Sequence, residues 1–451
     1  MKRPIVALTV LVGIVLGVGT AGVATAVAGN DKPVGPPAGG GSGSIVVAWN
    51  QELLHIVQTP GAQPATVHPT RSFAILHAAI YDSVVSITKD DPAYLVSVPA
   101  ARGARPDAAA AQAGHDTLAA LYPMQQAVLD DQLAAELGAI PDGVAKQEGI
   151  QVGHDTAMRL LAFRAGDGSA ATPPPFVAGN APGDYRPTPP AFAAPVFTGW
   201  ANVEPFLLTS ASQFRPKAPA AVTSEAYAKA LNEVQSLGQN TSTTRTADET
   251  VAAKFWAGPI WNTWNEIAGK AALAHHTNLE TTARLFAILN LTFADSVIAF
   301  YDAKYHYAVW RPITAIRMGD SIGNMAITGD PAWTPLANTP ADPSFPGAHS
   351  TISEAGATVL TEFFGNKTQI VVTSDVLPDT TRVFDSYSAV ADEAGLSRIF
   401  AGVHTRLDHE AGLELGRDVA QLVLRASRTP EFGVTARPAA PAAPAGAAGG
   451  Y

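Results

Sequence analysis

The chain has 451 residues with 47% hydrophobic content, enough to bury a large core in one to three domains. Charged residues make up only 15% and the net charge is −10, so no basic domain is available to follow a nucleic-acid backbone, and nucleic acid is excluded as a partner. There is no cysteine, which removes disulfides, thiolate metal sites and cysteine nucleophiles.

Residues 1–28 read as an export signal. Lys2-Arg3 make a positive start, Ile5 to Val18 an apolar run, and Ala24-Thr25-Ala26 or Ala26-Val27-Ala28 a small-x-small cleavage site. An uncleaved anchor is the alternative, since the run could stretch to a marginal span. No later stretch reads as an apolar span, so the mature chain is expected to be secreted, without stable membrane insertion. Residues 29–44, ending in DKPVGPPAGGGSGS, form a Pro/Gly/Ser linker, and the fold should begin near Ile45.

The next 160 or so residues, 45–206, are expected to form an N-terminal helical region. Val46, Val47, Trp49, Leu53, Leu54 and Val57 give one inward face; Phe73, Ile75, Leu76, Ala79, Ile80, Val84 and Val85 give a second, on a helix carrying Arg71, His77 and Asp82. Gly114-His115-Asp116-Thr117 and Gly153-His154-Asp155-Thr156 echo each other. They read as a repeated helical surface, because neighbours in sequence do not converge on one ligand from a helix. Helical patterning stops from Gly166 to Phe206, where prolines mark a long irregular crossing.

Residues 207–430 are expected to form a C-terminal helical region that holds the site. Helices are placed at Ser224–Leu237, Ala247–Ala257, Trp261–Ala274 and Asn278 to about Lys304. Another starts near His349–Thr351, with Thr351-Ile-Ser-Glu354 as its capping box, and ends at Gly365. Gln369–Thr373 is the one late strand signal, and Ser386–Phe400 and His404–Ser427 are the last helices. Residues 431–451 form an Ala/Pro/Gly tail, expected to be disordered. The fold class is mainly α, helical bundles joined by long Pro-rich loops.

Chemistry concentrates in three stretches. In the first, Lys304 and Arg311 lie seven apart, on one face if the helix continues, and two inward cations call for an anion between them. In the second, Gly347 and Ala348 let backbone N–H groups approach an anion just before a helix start, where His349 should stay neutral and suit proton transfer. In the third, Arg398 precedes a turn at Ala401-Gly402, and His404 and Asp408 lie four apart, so that on a helix the carboxylate orients the imidazole. His409 is one step off that face and should point outward. Taken singly, the first and third stretches are better explained by solvated charge and a helix salt bridge, and the second about as well by a turn.

Taken together they resemble the vanadium-dependent haloperoxidase and type 2 phosphatidic acid phosphatase superfamily, whose pattern is Lys-x6-Arg-Pro, Pro-Ser-Gly-His and Ser-Arg-x5-His-x3-Asp. Lys304, Arg311-Pro312, Ser397-Arg398, His404 and Asp408 match in type, order and spacing. The helical N-terminal half, with Arg71 to His77 and Tyr81-Asp82, is similar to the secreted haloperoxidase branch. One motif departs: Pro346-Gly347-Ala348-His349 lacks the serine hydroxyl, a hydrogen bond worth roughly 1 kcal/mol.

The resemblance implies vanadate, or phosphate in its place, held by Lys304, Arg311, Arg398 and the Gly347 and Ala348 amides. It implies His404 as apical vanadium ligand, Asp408 as its orienting partner, His349 as acid–base group and Lys304 as a group that polarises peroxide. Hydrogen peroxide and a halide or small organic molecule are the implied substrates. The alternatives are an exported acid phosphatase working through a phosphohistidine at His404, and an inactive oxyanion-binding homologue. A zinc site from His404, Asp408 and His409 is a weaker reading, because Arg398 and Arg406 would crowd a cation.

Overall fold

The computed structural model describes residues 43–173, 175–430 and 432–433. The signal segment, linker residues 29–42 and the tail beyond Gly433 lie outside them. Five helices come first: α1 (Ser44–Gln58), α2 (Pro69–Thr88), α3 (Pro106–Leu121), α4 (Gln126–Gly138) and α5 (Val144–Arg164). After the irregular crossing come α6 (Glu225–Leu237), α7 (Ala247–Phe255), α8 (Ile260–Ala274), α9 (Leu279–Tyr307), α10 (Pro312–Arg317), α11 (Ala348–Phe364), α12 (Tyr387–Phe400) and α13 (Arg406–Ala426). The expected strand exists as β1 (Lys367–Thr373) and pairs antiparallel with β2 (Thr381–Ser386), which sequence reading missed. β2 alternates exposed and half-buried positions and so carries little apolar signal.

The core is organised around α9. Asn278 caps it by accepting from the Thr281 amide at 2.9 Å, and Ala308 ends it in the left-handed region at φ 44°. Its apolar residues point in every direction, because α2, α11 and α13 all pack against it. The expectation that no later segment could pass for a membrane span is therefore corrected. α9 is long and apolar enough, but 94% of its apolar window is buried within the protein, as in a central core helix. One hydrophobic cluster runs from Val46 to Phe432 and crosses residue 206 without a break. Phe432, at the start of the expected tail, packs 5.4 Å from the Tyr94 ring.

Buried carboxylates anchor the loops to this core. Asp295 on α9 accepts from the Phe206, Leu207 and Leu208 amides, and Asp82 on α2 accepts from Tyr94, Leu95 and Val96. The end of the irregular crossing is thus tied to the helix that leads into Lys304. The two Gly-His-Asp-Thr segments lie inside α3 and α5 and face each other. Asp116 accepts from His115 at 2.8 Å and from His154 at 2.7 Å, while Gly153 lets α5 approach the Ala109 carbonyl.

Close approach of α13 to α11 brings the site together. A Cβ on Gly416 would lie 2.1 Å from the Thr351 carbonyl oxygen, and one on Gly412 would lie 2.6 Å from that of Gly347. The expected Thr351–Glu354 capping box does not form. α11 already begins at Ala348, the Thr351 hydroxyl donates to the Gly347 carbonyl at 3.0 Å, and Glu354 pairs with Arg417 at 2.8 Å. Capping boxes occur instead at Thr246–Glu249 and Thr405–Asp408.

Candidate active site

Four segments meet at the C-terminal end of α9. Lys304 projects from its last turn and is fully buried. The helix stops at Tyr307, so Arg311 does not share its face as expected; it is the residue before α10. The two cations converge nonetheless, on a carboxylate that sequence reading missed. Lys304 Nζ lies 3.3 Å from Asp342 Oδ2 and also donates to the Pro343 and Ser344 carbonyls. Arg311 pairs with Asp342 Oδ1 through Nη2, and its Nε donates to the Asp342 carbonyl at 2.7 Å. Burial pulls the Lys304 ammonium down to about 8, opposed by Asp342. Burial alone would raise the Asp342 carboxyl, but Lys304 and Arg311 outweigh it and hold it below its ordinary value.

His404 lies just before α13 rather than on it, which corrects the shared-face argument. Its Nδ1 still reaches Asp408 Oδ2, at 3.3 Å, because the Thr405–Asp408 capping box folds the carboxylate back over the helix start. The Thr405 amide donates to Asp408 at 2.7 Å, and so does the Ser344 hydroxyl. Arg311 Nη1 lies 3.1 Å from His404 Nε2. A guanidinium can only donate, so Nε2 carries a lone pair and the ring proton sits on Nδ1, facing Asp408. Burial, with Arg311 adding to it, pulls the imidazole down to about 3, and the ring is neutral.

Arg398, at the end of α12, comes close through a turn: Gly402 takes φ 79°, and the Val403 and His404 amides both donate to the Arg398 carbonyl. Arg398 is 5% exposed, yet its Nε and Nη1 have no hydrogen-bond partner. Burial, with nearby Arg311 adding to it and Asp342 opposing, lowers it to about 10. His349, in the first turn of α11, sits 2.9 Å through Nε2 from the Trp256 carbonyl. That carbonyl only accepts, which puts the ring proton on Nε2 and the lone pair on Nδ1. Burial, then Arg398 and His404, hold His349 well below its ordinary value.

Two expectations about donors and ligands change. The Gly347 amide is not free for an anion, because it donates to the Asp408 carbonyl at 2.8 Å. The glycine itself has a packing reason, since a Cβ there would lie 3.1 Å from that carbonyl oxygen. Ala348 does open α11, so its amide is among those that no helical carbonyl satisfies. His409 points inward, not outward: it is buried, with Nδ1 2.9 Å from the Ser350 hydroxyl, apart from the His404–Asp408 pair. No cluster of metal-ligating side chains occurs among the described residues.

The geometry suits an oxyanion. Two orphaned guanidinium donors on Arg398, a helix N-terminus and a neutral imidazole whose Nε2 lone pair faces Arg311 share this site, and buried unpaired donors are costly without an acceptor. A cavity of about 370 Å³ is lined by Tyr227, Tyr307, Trp310, Ser344 and Asp408, and neither Arg398, His349 nor His404 lines it.

Comparison with known proteins bears on the fold that carries this site. The sequence model of the VCPO second helical-bundle domain matches residues 284–430, a range that contains Lys304, Arg311, Asp342, His349, Arg398, His404 and Asp408. The vanadium chloroperoxidase of Curvularia inaequalis is 23% identical over 82% of this chain and 80% of its own length. A bacterial vanadium-dependent iodoperoxidase superposes with a TM-score of 0.72 at 26% identity, covering 85% of this chain and 95% of that one. A holo-type bacterial vanadium-dependent chloroperoxidase superposes at 0.63 with 16% identity, over 85% and 95% of the two chains.

Proposed function

The chain belongs to the vanadium haloperoxidase superfamily, and on that premise we propose that it is a vanadate-dependent haloperoxidase-like enzyme that oxidises a halide, or a small organic molecule, with hydrogen peroxide. The observation that carries the reading is Arg398, a buried guanidinium whose Nε and Nη1 find no acceptor in the protein. Such donors favour an oxyanion that supplies the missing acceptors.

Arg398, with Arg311 and Lys304, would hold the oxygens of vanadate, and His404 Nε2, once released from Arg311 Nη1, would be its protein ligand. Bound vanadate supplies the Lewis-acid centre at which peroxide becomes an electrophilic oxygen donor. Asp408 keeps the His404 proton on Nδ1 and so keeps Nε2 unprotonated. Ser344 and the Thr405 amide hold Asp408 in turn. Halide, hydrogen peroxide and one proton give hypohalous acid and water; the O–O bond breaks as the halide is oxidised by two electrons. His349, with its Nδ1 lone pair free, would pass that proton on, holding it only transiently because burial and Arg398 keep the imidazole well below its ordinary value. We also propose export, on the strength of Lys2-Arg3 and the apolar run that follows.

The test is to incubate the purified chain with bromide, hydrogen peroxide and a phenolic dye, with and without orthovanadate. Bromination that depends on vanadate is expected. Phosphate release from p-nitrophenyl phosphate, inhibited by vanadate and without halogenation, would overturn the peroxidase reading.

A further inference from the structure

The anion between Lys304 and Arg311 is part of the chain itself. Lys304 Nζ has three protons and three acceptors: Asp342 Oδ2, the Pro343 carbonyl and the Ser344 carbonyl. Arg311 spends Nε and Nη2 on Asp342, and Nη1 on the Val403 carbonyl and His404 Nε2. Arg398 alone of the three cations has donors unpaired. Asp342 is 6% exposed, so its pairing with the two cations is not weakened by solvent. Three cations against the carboxylates of Asp342 and Asp408 leave the site with one net positive charge, where three cations and Asp408 alone would leave two.

We propose that Asp342 is a built-in counter-anion: its carboxylate holds the Lys304 and Arg311 donors that a bound oxyanion needs, so the oxyanion loads in competition with it. This rests on the oxyanion reading above and adds a residue that sets affinity. Loading requires Lys304 and Arg311 to exchange Asp342 for oxyanion oxygens, or the oxyanion to accept a carboxylate as neighbour. Either way Asp342 weakens binding and disfavours the more highly charged forms of the oxyanion. Its main-chain carbonyl also holds Arg311 Nε, a contact that side-chain substitution leaves in place.

The substitution that isolates the charge is Asp342→Asn, which keeps the shape and removes one negative charge. Orthovanadate and, separately, inorganic phosphate are titrated into the full chain by calorimetry, and melting temperatures are recorded with and without each. The variant should bind vanadate about tenfold tighter or more. Without oxyanion it should melt lower, since two buried cations lose their partner, and saturating vanadate should raise its melting point further than that of the wild type. Wild-type binding with equal or weaker binding by the variant overturns the role of Asp342 and leaves the oxyanion reading standing. Binding by neither chain overturns both. If the variant does not fold, a structure of the wild-type chain with vanadate decides. Lys304 and Arg311 released from Asp342 onto the oxyanion is the expected arrangement, and both still paired to Asp342 contradicts it.

Discussion

Arg398→Met separates a cation kept for a ligand from one kept for stability. The guanidinium is buried at the end of α12 with Nε and Nη1 unsatisfied, and an unmet buried donor costs about 1–3 kcal/mol. Met matches the length of the Arg stem and removes both donors and the charge. In buffer free of phosphate and vanadate, the variant should therefore be more stable than the wild type, by about 2 kcal/mol once some loss of packing is allowed for. That corresponds to a rise in melting temperature of about 2–4 °C. Oxyanion affinity should move the other way. Two charge-assisted hydrogen bonds contribute about 3 kcal/mol, so the dissociation constant for vanadate should rise about a hundredfold. Differential scanning fluorimetry and calorimetric titration read the two effects. The reasoning fails if Arg398→Met melts lower in anion-free buffer, as when a buried ion pair worth about 3–5 kcal/mol is broken, while vanadate affinity stays the same.

Asp408→Asn should cost about 1–2 kcal/mol through the weakened capping box of α13, and lower vanadate affinity about 10–100-fold by releasing the His404 tautomer; denaturation curves and titration check both. Gly416→Ala should destabilise by about 1–3 kcal/mol, because its Cβ would drive α13 away from the Thr351 carbonyl of α11; an unchanged melting temperature would show that this contact relaxes freely. His77 gives a pH test. Burial between Phe73 and Phe286 lowers it to about 3, so below pH 6.5 the unfolded chain binds a proton that the folded chain refuses. Its contribution is complete above pH 6.5 and is lost as pH falls toward 3. The stability difference between wild type and His77→Phe should thus shift against the wild type by about 1.4 kcal/mol per pH unit below about pH 6. A flat difference between pH 6 and 4 would show that His77 protonates without penalty.

The helices were legible because period and caps agree along them. Asn278, Ser224 and Ser386 each cap where sequence places a helix start, and the apolar positions named on α1 and α2 are buried, apart from half-buried Val57. β2 was not legible, since a half-buried two-stranded hairpin needs no apolar run. In the site, residue types and order were readable, while the means of convergence were not. Lys304 and Arg311 meet across the end of α9, and His404 meets Asp408 across an N-cap, so helix-face arithmetic named the right pairs for the wrong geometric reason. His409 was misassigned because its partner, Ser350, lies on another helix. Asp342 went unnoticed in a Pro-rich loop, although two inward cations already required an anion. A carboxylate one position before Pro343-Ser344 was the available signal.

The most direct measurement is a calorimetric titration of the full chain with orthovanadate, alongside His404→Ala, followed by addition of peroxide and bromide to the titrated samples. One equivalent bound by the wild type, much weaker binding by the variant, and bromination that follows occupancy is the expected result. No saturable binding by the wild type, or equal binding by both chains, would contradict an oxyanion seated on His404.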